Sequence, residues 1–232
     1  MKLLALNGSP RKGWNTEQLL QKAMDGAKSM GAETELIQLY EQEFKGCISC
    51  FACKVKGSRT NGLCTYRDAL RPILEKCQKA DAIVIGSPVY FDYPTAQTRA
   101  FLERFLFPLD TYMVKDGVRQ KVLDKVIPSA FIFTMNCPED FMDKVDYRTI
   151  LQHNEGNTGR LLGYCETLYS CDTYQYQDYS KMDCNMFEEE KKAAQRKKQF
   201  PIDLENAYQL GKRLMQKVME NNRNNYGDLT DE

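Results

Sequence analysis

The sequence predicts an α/β protein built on an open parallel sheet with helices on both faces. Three observations predict it. Five short strand-like segments alternate with helical patterns along the 232 residues, and such alternation gives parallel strands joined by crossover helices. The third segment, residues 82–85 (AIVI), is continuously apolar, as a strand buried on both faces should be. The chain also opens on a short apolar run, a polar loop and a helical pattern, which is how such a crossover begins.

Taken in order, residues 3–6 (LLAL) read as the first strand and residues 7–16 (NGSPRKGWNT) as a loop. A helix follows, with Leu19, Leu20, Ala23, Met24, Ala27 and Met30 on one face. Asn15 and Gln18 suit a capping-box-like start. Residues 34–40 (TELIQLY) alternate polar and apolar and read as a second strand near an edge. A cysteine-rich loop covers 46–64, and a helix covers 68–79. After the third strand and residues 86–94, a helix starts near Thr95 and carries Phe101, Leu102, Phe105 and Leu106.

Residues 108–125 form a polar insertion, and 126–134 (VIPSAFIFT) read as the fourth strand. Pro128 sits near its start, where a missing N–H costs least. Residues 138–163 read as irregular with one short helix, placed to cover the site or to form an oligomer contact. Residues 165–171 (CETLYSC) give the fifth strand, and 172–182 are dense in tyrosine. A charged, solvated helix is expected over 188–198. A separate amphipathic helix is expected over 203–219, with Leu204, Ala207, Tyr208, Gly211, Leu214, Met215 and Val218 on one face. The expected organisation is one domain over 1–220 and a flexible tail over 221–232.

Lys plus Arg number 32 and Asp plus Glu number 32, so no global field draws the chain to nucleic acid or to an anionic membrane. No stretch approaches the roughly 20 apolar residues of a membrane span. The start carries no charged leader followed by a long apolar run. Nine cysteines without an export signal predict a cytoplasmic protein with reduced thiols. Cys77 shares an apolar face with Leu70, Ile73 and Leu74, and Cys165 and Cys171 fall in the fifth strand.

The loop after the first strand has the ingredients of a phosphate cradle. First-turn N–H groups of a helix lack internal partners, and the helix dipole favours an anion there. Ser9 and Thr16 add hydroxyls, Arg11 and Lys12 add charge, and Gly8 and Gly13 let the backbone approach. The loop carries neither G-x-x-x-x-G-K-[ST] nor G-x-G-x-x-G, so nucleoside-triphosphate and dinucleotide loops are excluded. A single phosphate monoester remains. In open α/β sheets ligands bind beyond the C-terminal strand ends, where strand order reverses. The loops after Leu6, Ile85 and Thr134 occupy that edge.

NGSPRKGWNT after the first strand, GSPVYFDYPTAQTRAFLERF after the third, and the C-x-x-C-x-x-C loop between them resemble the NADPH-dependent FMN reductases and iron–sulfur flavoproteins. The resemblance covers residues 1–107 and loosely the later strands. It implies a flavodoxin-like fold: a doubly wound five-stranded parallel sheet of order 2-1-3-4-5, with insertions after the third helix and fourth strand. It implies FMN, with Ser9, Arg11, Asn15 and Thr16 on the phosphate. Ser87, Pro88, Val89, Tyr90 and Phe91 would wrap the ring system, and Thr134 and Asn136 would lie near the ring or ribitol. Trp14 departs from the small residue expected in that loop.

By the same resemblance, NAD(P)H would reduce the flavin and a small acceptor, such as a quinone or free flavin, would take the electrons. The alternative is a carrier that exchanges electrons with a protein partner such as ferredoxin. A non-catalytic binding module is a third class, disfavoured by the intact loop. The flavin supplies the chemistry, so no acid–base triad is expected. The lone His153 reads as a solvated loop residue. The family favours a homo-oligomer, a dimer or tetramer.

Cys47, Cys50 and Cys53, with Cys64, offer four thiolates. Their compact spacing suits a [4Fe–4S] cluster. In cluster-bearing flavoproteins the fourth cysteine follows after a gap shorter than the ten residues here. Zinc fits the spacing poorly. Free thiols in a metal-free loop are the third alternative.

Overall fold

The computed structural model describes residues 1–227. Five strands, β1 (Lys2–Asn7), β2 (Glu33–Gln38), β3 (Ala82–Tyr90), β4 (Ser129–Thr134) and β5 (Cys165–Ser170), form the main sheet. They pair in the order β2-β1-β3-β4-β5, every pair parallel. The helices are α1 (Asn15–Ser29), α2 (Leu70–Lys79), α3 (Ala96–Leu106), α4 (Glu139–Lys144), α5 (Tyr147–Leu162) and α6 (Glu189–Gly227). This is the expected doubly wound sheet. A two-residue strand, Tyr93–Pro94, folds back on the end of β3. The insertion after α3 carries a small ribbon, Val114–Lys115 against Val118–Arg119.

The period of two along each central strand divides the core into two layers. Leu3, Ala5, Ala82, Val84, Ala130 and Ile132 face α1 and α6. Leu4, Leu6, Ile83, Ile85, Phe131 and Phe133 face α2, α3 and α5. All twelve are fully buried, and burial of one large aliphatic side chain contributes about 1.5–3 kcal/mol. Small side chains lie on the first face because α1 and α6 cross there at backbone contact. A Cβ on Gly26 would stand 2.0 Å from the Tyr208 carbonyl oxygen, and one on Gly211 would stand 1.9 Å from that of Ala23.

Several expectations need correction. Residues 138–163 hold α4 and the 16-residue α5, the crossover helix between β4 and β5. Their run of Gln, His, Asn, Gly and Thr hid it, because only Leu151, Thr158 and Leu162 of α5 are buried. His153 is therefore helical. The two C-terminal helices are one, α6, which continues through Pro201. Proline removes one helical hydrogen bond, but α6 is anchored on both sides of it. Phe200 and Ala207 are both buried in the same core layer. Residues 221–227 continue α6; the remainder of the expected tail lies outside the described residues.

The charged half of α6 is not merely solvated: Lys192 is buried, bound to Asp172 and donating to the Asn136 carbonyl at 3.1 Å. The capping box at α1 is absent. Trp14 is the N-cap and offers no side-chain hydrogen bond, while the Asn15 amide is engaged elsewhere. Cys77 is fully buried as expected, whereas Cys165 and Cys171 are only partly buried.

Asp203 of α6 is buried against β5, where it accepts hydrogen bonds from Ser170 Oγ (2.5 Å) and Gln199 Nε2 (2.8 Å). Burial outweighs those bonds and pushes its carboxyl above the usual range. A raised carboxyl favours the folded state when protonated. That contribution is complete below the unfolded-chain value and is lost as pH rises through the raised folded value. Asp203→Asn is expected to remove this slope, which urea unfolding of both proteins between pH 4 and 8 would check. Parallel stability–pH curves would contradict it.

Candidate functional site

The loop between β1 and α1 is fixed by its own polar side chains. Ser9 N–H donates to Asn7 Oδ1 at 3.0 Å, and Arg11 N–H donates to Ser9 Oγ at 3.1 Å. Gly8 N–H donates to the Gly86 carbonyl at 2.8 Å, and Thr95 Oγ1 donates to the Gly8 carbonyl at 2.8 Å. Gly8 is required there, since a Cβ would stand 1.8 Å from Thr98 Oγ1. The loop thus arrives at α1 tied to β3 and to the start of α3. The first N–H groups of α1 have no side-chain cap and point out of the helix end. The Arg11 guanidinium stacks 3.6 Å over the Trp14 ring. Thr16 and Thr134 share a buried hydroxyl hydrogen bond of 2.8 Å.

Beyond the ends of β1, β3 and β4 lies a cleft of about 160 Å³. Ser9, Arg11, Asn15, Thr16, Pro88, Val89, Tyr90, Thr134 and Asn136 all line it. Two expected residues lie off its wall. Ser87 is fully buried, and its hydroxyl accepts from Thr95 N–H at 3.0 Å, so it anchors α3. Phe91 is 95% exposed at the tip of the hairpin between β3 and Tyr93–Pro94. Phe91 and Asp92 both take positive φ, 47° and 72°, the geometry of a type I′ hairpin turn, in which non-glycine residues store strain. The Asp92 side chain in that turn, with burial behind it, pushes the Tyr147 phenol of α5 up to about 12. Burial raises the Tyr90 phenol as well.

Sequence reasoning missed one wall of the cleft. Met135, Thr173, Tyr174 and Gln175 complete the lining, beside Trp14. Arg11 donates to the Gln175 carbonyl (2.6 Å) and Asn15 to that of Tyr174 (3.0 Å). Arg196 of α6 donates to Asn15 Oδ1 at 2.5 Å. Burial lowers the Arg196 pKa, although its charge remains. The tyrosine density of 172–182 was the only signal for this wall. Nothing in the charge run of α6 singled out Lys192 or Arg196. The cleft also holds an orphan, because buried Asn136 Oδ1 has no hydrogen-bond partner.

The four cysteines also meet. Cys47, Cys50, Cys53 and Cys64 line one cavity of about 20 Å³ against α3. Among the described residues no three metal-binding side chains stand close enough to hold one ion. A tetrahedral zinc site with Zn–S near 2.3 Å needs sulfurs within about 3.8 Å of one another, and the described residues contain no such group. An all-thiol donor set around a shared cavity matches the chemistry of an iron–sulfur cluster, whose sulfur ligands bind separate irons and stand further apart. Burial pushes the Cys53 thiol above its usual value. A wider groove of about 440 Å³ between α3 and α5, lined by Arg99, His153 and Arg160 among others, contains none of the phosphate-loop residues.

The sequence model of the NADPH-dependent FMN reductase family matches residues 1–126, just over half of the chain. The chain belongs to the NADPH-dependent FMN reductase family. With the family comes FMN as cofactor, and the cleft suits it: free helix N–H groups for the phosphate, an orphan acceptor at Asn136 and an aromatic wall at Tyr90. Relatives of this family member include two iron–sulfur flavoproteins. One from Archaeoglobus fulgidus is 44% identical over 104 residues, covering 45% of this chain and 48% of the relative. One from Methanocaldococcus jannaschii is 38% identical over 104 residues, covering 45% and 51%. The match thus spans about half the length of each.

Among solved structures, an NAD(P)H:quinone oxidoreductase from Methanothermobacter marburgensis superposes with a TM-score of 0.66 at 14% identity, covering 92% of this chain and 96% of that one. An azoreductase from Bacillus anthracis gives 0.62 at 12% identity, covering 92% and 99%. At such identities the likeness is one of fold. Among the described residues no helix is long and apolar enough to cross a membrane.

Proposed function

We propose that the chain is an FMN-dependent oxidoreductase that takes hydride from NAD(P)H and passes the electrons to a small acceptor such as a quinone or free flavin. One observation carries the reading: a cleft at the C-terminal strand ends, where strand order reverses between β1 and β3, lined by loops from β1, β3 and β4. FMN, when bound, supplies reversible hydride and electron transfer. The residues do the rest. Ser9, Arg11, Asn15 and Thr16 hold the phosphate with hydroxyls, charge and the N–H groups of α1. Pro88, Val89 and Tyr90 form the wall for the ring, with Ser87 setting that loop's backbone and Phe91 reaching beyond it. Thr134 and Asn136 supply polar contacts to the ring or ribitol. Tyr174 and Gln175 shield the phosphate end from water.

Anaerobically purified protein is expected to show flavin absorption, or to acquire it with added FMN. It is then expected to oxidise NAD(P)H rapidly in the presence of a quinone. Colourless protein that refuses FMN would overturn the reading.

A second reading is favoured by the shared cavity of the four cysteines and by the names of the relatives. In it Cys47, Cys50, Cys53 and Cys64 hold a [4Fe–4S] cluster that lets electrons leave singly, toward a protein partner of the ferredoxin type. Reduction only through such a partner, with bound iron and sulfide, would favour it. The protein is proposed to work in the cytoplasm as a homo-oligomer, a dimer or tetramer, formed from one 1–220 domain per chain.

A further inference from the structure

Arg104 lies on α3 with 2% of its surface exposed. All five of its N–H groups are used. Nε donates to Cys64 Sγ at 3.4 Å. One terminal nitrogen donates to the Lys45 carbonyl (3.1 Å) and to Asp68. The other donates to the Tyr66 carbonyl (3.0 Å) and to Asp68 Oδ1 (3.0 Å). A buried guanidinium is costly and persists only when fully partnered. Here the partners lie on both limbs of the cysteine loop: Lys45 precedes Cys47, and Cys64, Tyr66 and Asp68 close the loop. Glu103, the preceding residue of α3, accepts from Cys47 N–H at 3.0 Å.

We infer that Arg104 is the positioning residue of the thiol pocket: it clamps the two limbs of the loop together and fixes Cys64 as its fourth sulfur. The ten residues between Cys53 and Cys64 leave the chain free to place that thiol elsewhere; the guanidinium sets its place. A planar fork with five donors spans both limbs, whereas the ammonium of lysine, three donors on one atom, does not. The Nε–Sγ contact also puts a positive donor on that sulfur. The inference rests on the cluster reading for its electronic part and is independent of it for the clamp.

The test compares wild type with Arg104→Lys and Arg104→Gln. Hydrogen exchange is followed over 45–53 and 60–68, with FMN titration as a check on the fold. Iron and sulfide are then reconstituted anaerobically, and the midpoint potential is measured. Both variants are expected to keep FMN affinity within twofold and to exchange at least tenfold faster in both segments. Both are expected to bind less than half the iron of wild type, and Arg104→Gln, which removes the charge beside Cys64 Sγ, is expected at a more negative potential than Arg104→Lys, because a cation near a ligand sulfur favours the reduced state. Loosening the loop alone would shift both variants alike, so the difference in potential between Arg104→Lys and Arg104→Gln reports the charge at the sulfur.

Wild-type exchange in both segments would overturn the clamp, and equal potentials for Arg104→Lys and Arg104→Gln would overturn the role of the charge at the sulfur. Wild type that takes up no iron or sulfide would remove the cluster reading and the electronic part, while exchange still decides the clamp. Should the arginine variants lose FMN as well, Cys64→Ala serves instead. It is expected to keep wild-type exchange and lose iron, and unchanged iron content and potential would exclude Cys64 as the fourth sulfur.

Discussion

Replacing Gly211 with alanine is expected to destabilise the protein by about 3 kcal/mol, at the upper end of the usual cost of overpacking. The added Cβ would stand 1.9 Å from the Ala23 carbonyl oxygen and 2.7 Å from its carbon. Both are backbone atoms of α1, so no side chain can rotate away. The two helices must move apart, loosening Leu19, Leu20, Ala23, Leu214 and Met215 together. Gly156→Ala is the control. It lies in α5 with nothing within 4 Å of its Cβ position, and alanine there is expected to stabilise by roughly 0.5–1 kcal/mol. Urea midpoints measure both, and equal midpoints for the two variants would contradict the close crossing of α1 and α6.

The double replacement Ser9→Ala with Thr16→Val is expected to weaken FMN binding by at least about 100-fold under the proposed reading. Each hydroxyl would lose a hydrogen bond to a charged phosphate worth about 1.5–3 kcal/mol, and two such losses exceed the 2.7 kcal/mol that 100-fold requires. Thr16→Val preserves shape in a site that is 2% exposed, so its main loss is polar. Ser9→Ala also frees Arg11 N–H from its acceptor, and the loop loses its internal brace. Fluorescence titration with FMN, alongside riboflavin, separates the causes. A loss confined to FMN places both hydroxyls at the phosphate, while equal loss for riboflavin would place them at the ring.

The sheet was legible because its strands carry the pattern of their surroundings. AIVI is apolar on both sides and β1 is nearly so, while β2 alternates as an edge strand does. The loops after Leu6 and Ile85 were legible because glycine, serine and aromatic residues recur there at positions that close backbone approach demands. What stayed hidden is what contacts across long sequence separation create. Arg196 reaches Asn15 across 181 residues, and the Gln175 carbonyl reaches Arg11 across 164; no local pattern encodes either. α5 was hidden by its weak apolar face, and the length of α6 by a proline that tertiary packing overrides.

One helix ties the cleft to the thiol pocket. At its start, Thr95 bonds the phosphate-loop carbonyl of Gly8 and the hydroxyl of Ser87. Nine residues on, about 13.5 Å along the axis, Arg104 gathers the cysteine limbs. α3 is therefore a ruler with a fixed phase. Lengthening it by a single residue would turn everything beyond the insertion by about 100°, aiming the guanidinium away from the sulfurs while the cleft end stays where it is. The offset between cleft and thiol pocket is written in helical pitch, and only steps of whole turns would preserve their alignment.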